Sequence, residues 1–183
     1  MGINSKIGHK AVFLDRDGVV NKAIVIAGMP YPPKSIDELQ ILPGVRNGIA
    51  QLMQNHFKVF IVTNQPDVAR GTVLLQNVQV INTFLAKELS IEKVYCCFHD
   101  GIENCSCRKP KPGMIFEAAE EWGLDLSNSF LIGDRWRDIE AAHNAGLTSI
   151  LIDYDYNEKK VKPNYTCTDF KSAVDFILNP QNI

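Results

Sequence analysis

Lys10-Ala11-Val12-Phe13-Leu14-Asp15-Arg16-Asp17-Gly18 is the stretch that decides the fold. Lys10–Leu14 is a short, nearly continuous apolar run ending at acidic residues, which reads as a buried strand running into a loop. Residues two apart in an extended segment point to the same side, so Asp15 and Asp17 present two carboxylates together where the strand ends. Alone, the pattern D-x-D-G equally describes a solvated turn in which Gly18 supplies a positive φ.

Downstream, strands and helices alternate. Val45, Ile49, Leu52 and Met53 recur at helical spacing after Leu42–Gly44, and Phe57–Thr63 is a second strand rich in β-branched and aromatic residues. Leu74, Val78, Ile81 and Leu85 mark a second amphipathic helix, and Lys93–Phe98 a third strand. Gly113–Trp122 reads as a helix stopped by Gly123, Phe130–Ile132 as a strand, and Asp138–Ala145 as a helix ended by Gly146. Thr148–Ile152 is a further strand and Phe170–Leu178 a final helix. This order predicts an α/β fold, a Rossmann-like parallel sheet with helices on both faces, whose ligands sit beyond the carboxyl ends of the strands. Asn21–Pro43, with Gly28, Pro30, Pro32 and Pro33, is expected to be one long irregular functional loop beside that site.

At 183 residues the chain fits one domain, expected over 1–183. Nineteen basic and twenty-one acidic residues leave a net charge of −2, which favours neither a nucleic-acid nor a membrane partner. No apolar run approaches the roughly 18 residues of a membrane span, and Met1–Lys10 lacks the apolar stretch of a signal peptide. A cytoplasmic location follows as the expectation. No heptad pattern or obvious apolar face argues for assembly, so a monomer is expected. Four of the five cysteines fall between Cys96 and Cys107, and an odd, clustered count in a reducing compartment reads as a metal site rather than a disulfide framework.

Three more motifs follow strands or strand-linked loops. Thr63-Asn64-Gln65 offers a hydroxyl and two amides to phosphate oxygens, though it also suits a plain polar turn. Arg108-Lys109-Pro110 offers a bidentate guanidinium and a point charge, though a basic pair is commonly just solvated. Gly133-Asp134-Arg135-Trp136-Arg137-Asp138 brings carboxylates to another strand end. There Asp138 competes with the simpler role of a helix N-terminal acid and ranks below Asp134. In a parallel sheet all four motifs converge on one edge. Three carboxylates gathered there require a cation, and oxygen ligands of that kind suit Mg²⁺. Cys97 or Cys96, with His99, Cys105 and Cys107, supplies three thiolates and an imidazole, a closed tetrahedral set of the kind that holds a structural Zn²⁺. Cys167 is isolated and is expected to pack as a small hydrophobe.

The ordered set DRDG, TNQ, RKP and GDxxxD resembles the haloacid dehalogenase-type phosphatases over roughly Lys10 to Ile152. The cysteine loop running into Arg108-Lys109-Pro110-Lys111-Pro112-Gly113-Met114, and Thr63-Asn64-Gln65 followed by Ala69-Arg70-Gly71, resemble the capless, zinc-loop heptose bisphosphate phosphatases. Histidinol-phosphate phosphatases share the loop and the four motifs but lack the Pro-Gly-Met continuation. The resemblance implies Asp15 as nucleophile, Asp17 as general acid and base, Thr63 as a phosphate ligand, and Lys109 paired with the nucleophile and the phosphate. It further implies Mg²⁺ on Asp15, Asp134 and the backbone carbonyl of Asp17, and structural Zn²⁺ on Cys97, His99, Cys105 and Cys107 within a loop at 96–109, the C-x-H spacing favouring Cys97. Asn64, Gln65, Arg108 and Arg135 become candidate substrate contacts. The implied substrate is a small phosphorylated sugar, a heptose bisphosphate used for surface glycans such as lipopolysaccharide.

One departure is local: the loop after the first motif, Asn21–Pro43, is longer and less polar than in the family, its matching stretch Ala23-Ile24-Val25-Ile26 being apolar, from loop packing or from a different substrate. Three rivals stand beside this reading: a histidinol-phosphate phosphatase, an inactive zinc-stabilised binding module, and a repair enzyme for nucleic-acid 3′-phosphates. Intact Asp15, Asp17, Lys109 and Asp134 count against the second, and the near-neutral charge against the third.

Overall fold

The computed structural model describes residues 8–179; Met1–Ile7 and 180–183 lie outside it, and with them most of the N-terminal stretch and both ends of the expected 1–183 domain. The main sheet has six parallel strands. In chain order these are β1 (Ala11–Leu14), β4 (Lys58–Asn64), β5 (Lys93–Cys97), β6 (Phe130–Gly133), β7 (Thr148–Ile152) and β8 (Tyr165–Cys167). They lie side by side as β5-β4-β1-β6-β7-β8. The chain therefore builds outward from β1 in one direction through β4 and β5, and in the other through β6, β7 and β8. That reversal leaves a crevice at the carboxyl end of β1, where this fold class binds ligands.

Five helices cover the sheet: α1 (Val45–Gln54), α2 (Leu75–Glu88), α3 (Gly113–Trp122), α4 (Trp136–Ala145) and α5 (Phe170–Leu178). Strand alternation explains the two cores they seal. Val12 and Leu14 of β1 pack on one face with α1, α2 and α5 residues such as Ile49, Leu52, Ile81 and Val174. Ala11 and Phe13 pack on the other with Ile115 and Ala118 of α3 and Ala141 and Ala142 of α4. A strand covered on both sides has no polar face to show, which is why Ala11–Leu14 reads as an unbroken apolar run. Leu74, expected on the apolar stripe of α2, stands 70% exposed just before that helix; Val78, Ile81 and Leu85 carry its buried face.

The structure corrects two expectations. Residues 21–43 are not irregular throughout: β2 (Ile24–Ile26) and β3 (Met29–Tyr31) form an antiparallel hairpin, followed by a 3₁₀ turn at Ile36–Glu38. The hairpin turns at Ala27 and Gly28, both with positive φ (51° and 77°). Ile24, Val25 and Ile26 are exposed, so simple packing does not account for their apolar character. The second correction is β8, an edge strand that pairs with β7 through Ile150–Ile152 and is missing from the sequence reading. Among the described residues, no helix is long and apolar enough to cross a membrane.

Candidate active site

β1 delivers Asp15 into the crevice, and the Asp15 amide donates to the Ile132 carbonyl of β6 (2.9 Å), which ties the two strand ends together. Gly18 has φ +94°, and a Cβ there would stand 2.0 Å from Asp134 Oδ2, so glycine alone lets Asp134 approach the Asp15 loop. Gly133 does the same for Asp138: a Cβ would lie 2.1 Å from the Asp138 Cβ.

Asp15, Asp134 and Asp138 each bring a carboxylate oxygen within 4.8 Å of the others. Both Asp134 oxygens are buried and have no hydrogen-bond partner among the described residues. A carboxylate stripped of water and left without a donor is costly unless a cation meets it. The hard oxygen donors fit Mg²⁺. Burial, followed by repulsion from Asp138, outweighs the attraction of Lys109 and pushes the Asp15 carboxyl up to about 7; Asp17 adds to the repulsion. Asp134 is raised well above the carboxylate range by burial and then by Asp15 and Asp138.

Lys109 is almost fully buried. Its Nζ lies 2.8 Å from Asp15 Oδ1 and 2.6 Å from Asp138 Oδ1, and donates to the Val62 carbonyl at 2.7 Å. Burial favours the neutral amine, but Asp138 and Asp15 overcome it and raise the Lys109 pKa. Asp138 carries two duties: Oδ2 accepts the Arg135 amide at the start of α4 (3.1 Å), while Oδ1 faces Lys109. It is thus the helix N-terminal acid the sequence suggested and a member of the acidic cluster as well.

The TNQ tripeptide divides its labour. Thr63 near the end of β4 and Gln65 just beyond it are both buried. Gln65 Nε2 donates to Thr63 Oγ1 (3.0 Å) and to Asp17 Oδ2 (2.8 Å). Gln65, expected as a substrate contact, is 2% exposed and does not line the cavity, and its amide is used inside the protein to hold Thr63 and Asp17. Because the Thr63 oxygen accepts from Gln65, its own hydroxyl proton is left to donate elsewhere. Asn64 grips the Lys109 backbone from both sides, accepting its amide (3.1 Å) and donating to its carbonyl (3.0 Å), while still lining the cavity.

Asp17 is held by donors the sequence reading did not assign. Arg16, fully buried, forks onto both its oxygens at 3.0–3.1 Å, and Asn21 Nδ2 donates to Oδ1 (3.0 Å). Only the D-R-D spelling hinted at Arg16.

The cavity over these groups has a volume of about 290 Å³. Its walls include Met29–Pro32 of the hairpin, Arg70, Arg108, Arg135 and Arg137. Arg135 is paired with Glu158, but Arg108 and Arg137 have no carboxylate partner within 4.0 Å among the described residues. Arg137 stacks on Trp136, 4.5 Å from the ring centroid. Burial, then repulsion from Arg135 and Arg108, lowers its pKa below the usual arginine value. Arg70 and Arg137 are absent from the sequence expectations, Arg70 quoted only within a motif and Arg137 passed over beside Asp138.

Beside the cavity, Cys97, His99, Cys105 and Cys107 converge. Their ligand atoms lie 3.1–3.7 Å apart where paired, with Nδ1 the histidine atom. A tetrahedral zinc with Zn–S near ~2.3 Å requires sulfurs roughly 3.7 Å apart, and three thiolates with one imidazole are its preferred donors. The cluster can bind zinc. Cys96, one residue earlier on β5, is not part of it. Arg108 Nη1 donates to the His99 carbonyl (3.0 Å), so the cluster and the cavity's basic wall are one mechanical unit.

Comparison with known proteins agrees with this geometry. A family profile described as HAD-hydrolase-like matches residues 106–173. The D-glycero-beta-D-manno-heptose-1,7-bisphosphate 7-phosphatase of Helicobacter pylori is 31% identical over 92% of this chain and 98% of its own. The D-glycero-alpha-D-manno-heptose-1,7-bisphosphate 7-phosphatase of Campylobacter jejuni is 33% identical over 85% and 87%. A crystal structure of D,D-heptose 1,7-bisphosphate phosphatase from B. bronchiseptica, complexed with magnesium and phosphate, superposes with TM-score 0.81 at 30% identity, covering 93% of this chain and 99% of that one. With relatives at this identity matched nearly end to end, the chain belongs to the haloacid dehalogenase-like hydrolases, in the family of the heptose-bisphosphate 7-phosphatases.

Proposed function

We propose that this chain is a magnesium-dependent phosphatase that removes the 7-phosphate of a D-glycero-D-manno-heptose 1,7-bisphosphate by way of an aspartyl phosphate on Asp15. The observation that carries this is the set of Asp15, buried Asp134 and Lys109 at the floor of a cavity whose walls hold Arg108 and Arg137, neither with a carboxylate partner within 4.0 Å among the described residues. The floor suits one phosphate and the arginine wall suits a second anion on the same molecule.

In this mechanism an Asp15 oxygen attacks phosphorus as the bond to the sugar oxygen breaks, and Asp17 gives that oxygen its proton. Water then attacks the acyl phosphate, Asp17 takes its proton, and phosphate leaves with Asp15 restored. Asp15, Asp134 and the Asp17 carbonyl would hold Mg²⁺, whose charge offsets repulsion between carboxylate and phosphate. Lys109 and the Thr63 hydroxyl stabilise the transferring oxygens. Asp17 must carry hydrogen to act as an acid.

A cavity of about 290 Å³ suits a free metabolite in the cytoplasm, and the chain works as a monomer without nucleic-acid or membrane partners. The test is phosphate release with Mg²⁺ from both anomers of heptose 1,7-bisphosphate, fructose 1,6-bisphosphate and histidinol phosphate, beside Asp15→Asn. Preference for one heptose anomer, lost in the variant, is the expected result. Preference for histidinol phosphate, or activity surviving Asp15→Asn, overturns the proposal.

A further inference from the structure

We propose that Glu158, in the segment after β7 that lacks regular structure, is the positioning residue that aims Arg135 into the cavity. Its carboxylate divides between two partners. Oε1 accepts the Trp136 amide at the first turn of α4 (3.0 Å). Oε2 accepts from Arg135 Nε (2.8 Å) and Nη2 (2.5 Å). Both side chains are mostly shielded from solvent, Arg135 at 22% and Glu158 at 10% exposure.

Donor arithmetic gives this pair its meaning. A guanidinium has five N–H groups, and its Nε/Nη2 edge suits one carboxylate. Glu158 occupies that edge. Nη1 donates to no protein atom among the described residues, and Arg135 lines the catalytic cavity. An arginine at a loop-to-helix junction has several rotatable bonds and would otherwise sample many directions. Anchoring one edge from behind leaves the other edge preset for an anion, so less freedom is lost when substrate binds.

Glu158 is itself held in place. Its neighbour Lys159 pairs with Glu140 of α4 and lies 4.6 Å from the Trp136 ring centroid, and Tyr154 donates to the Gly18 carbonyl (3.1 Å). The segment thus crosses from the acid-bearing loop after β1 to the first turn of α4. Its function could not be read from a motif, because Glu158 lies 23 residues beyond its partner in an irregular stretch.

This inference rests on Arg135 being a substrate contact. The experiment is steady-state kinetics on the preferred sugar phosphate for the full chain and for Glu158→Ala, Glu158→Gln, Arg135→Ala and the double variant Glu158→Ala/Arg135→Ala. Glu158→Ala should raise KM about tenfold, with the loss falling mainly in KM rather than kcat. Glu158→Gln, which keeps an acceptor for the Trp136 amide, should fall between wild type and Glu158→Ala. In the Arg135→Ala background, Glu158→Ala should add nothing, because its route to the substrate has been removed. A purely structural Glu158 predicts the opposite: equal losses in both backgrounds, tracking a lower Tm. That additivity overturns the proposal, as does a normal KM in Arg135→Ala beside an active wild type. Absence of turnover by the wild type would instead sink the functional reading beneath it.

Discussion

Lys109 stands 2.8 Å from Asp15, and it holds that position because Asn64 clasps its backbone, the Val62 carbonyl accepts from its ammonium and Asp138 pairs with its charge. The ammonium is therefore fixed before any substrate arrives, which is the condition under which a charge stabilises a transition state most. Lys109→Met keeps most of the volume and removes the charge. It should lower kcat by about 10²–10³-fold and cost roughly 3–5 kcal/mol of stability in magnesium-free buffer, since Asp15 and Asp138 lose their buried partner. Stopped assays and thermal melts check both, and a kcat within a few fold of wild type would remove Lys109 from the mechanism.

Asp15 gives the pH dependence. Its pKa in the folded chain is about 7 against an ordinary 3.8. A raised folded pKa means stability that is fully present below about 4 and lost as pH climbs through 7. In magnesium-free buffer the wild type should therefore weaken relative to Asp15→Asn between pH 5 and pH 8, by a few kcal/mol at most. Lys109 keeps Asp138 as a partner in that variant, so the comparison reads Asp15 together with the repulsion it exerts on Asp134. Adding Mg²⁺ should raise the wild-type Tm more at pH 8 than at pH 5, because a protonated carboxyl does not ligate. A gap between the two proteins that shrinks with rising pH would contradict the assignment.

The Arg108–His99 contact joins the cysteine cluster to the cavity wall. Metal analysis of the wild type should find zinc, and Cys105→Ser and Cys107→Ser should each lose it. They should lose kcat/KM by order 10²-fold, the cost of misplacing a group by about an ångström. Cys96→Ser should keep both metal and activity, since Cys96 lies outside the cluster. Zinc retained in Cys105→Ser, or lost in Cys96→Ser, would reassign the ligands.

What was legible in the sequence follows from burial. Ala11–Leu14, covered on both faces, could only be an apolar run, and the acids that end it fall at the crevice by topology. The hairpin was hidden because its turn is Ala27-Gly28 rather than Asn-Gly, and because Pro30 sits in one of its three-residue strands. β8 is equally short and follows a stretch with no periodicity. The motif residues could be named but not aimed. Gln65 turns inward to Thr63 and Asp17, and Asp138 serves two partners at once. Arg16 and Glu158 owe their significance to partners that only the folded chain supplies, and Arg137 owes its own to a place in the cavity wall.

The hairpin carries the question of which sugar enters. Met29, Pro30, Tyr31 and Pro32 form part of the cavity wall, while Val25 and Ile26 on the paired strand are more than half exposed. If the wall reads the sugar, truncating it should weaken the sugar ester more than a generic one. Tyr31→Ala should therefore raise KM for the preferred sugar phosphate roughly tenfold, the worth of about 1–2 kcal/mol of lost contact. It should affect p-nitrophenyl phosphate much less, because that ester needs the floor residues but not this wall. Val25→Ser, away from the cavity, should change neither substrate. Equal losses on both esters in Tyr31→Ala would mean that the hairpin supports the floor rather than the sugar, and selectivity would then rest with Arg108 and Arg137.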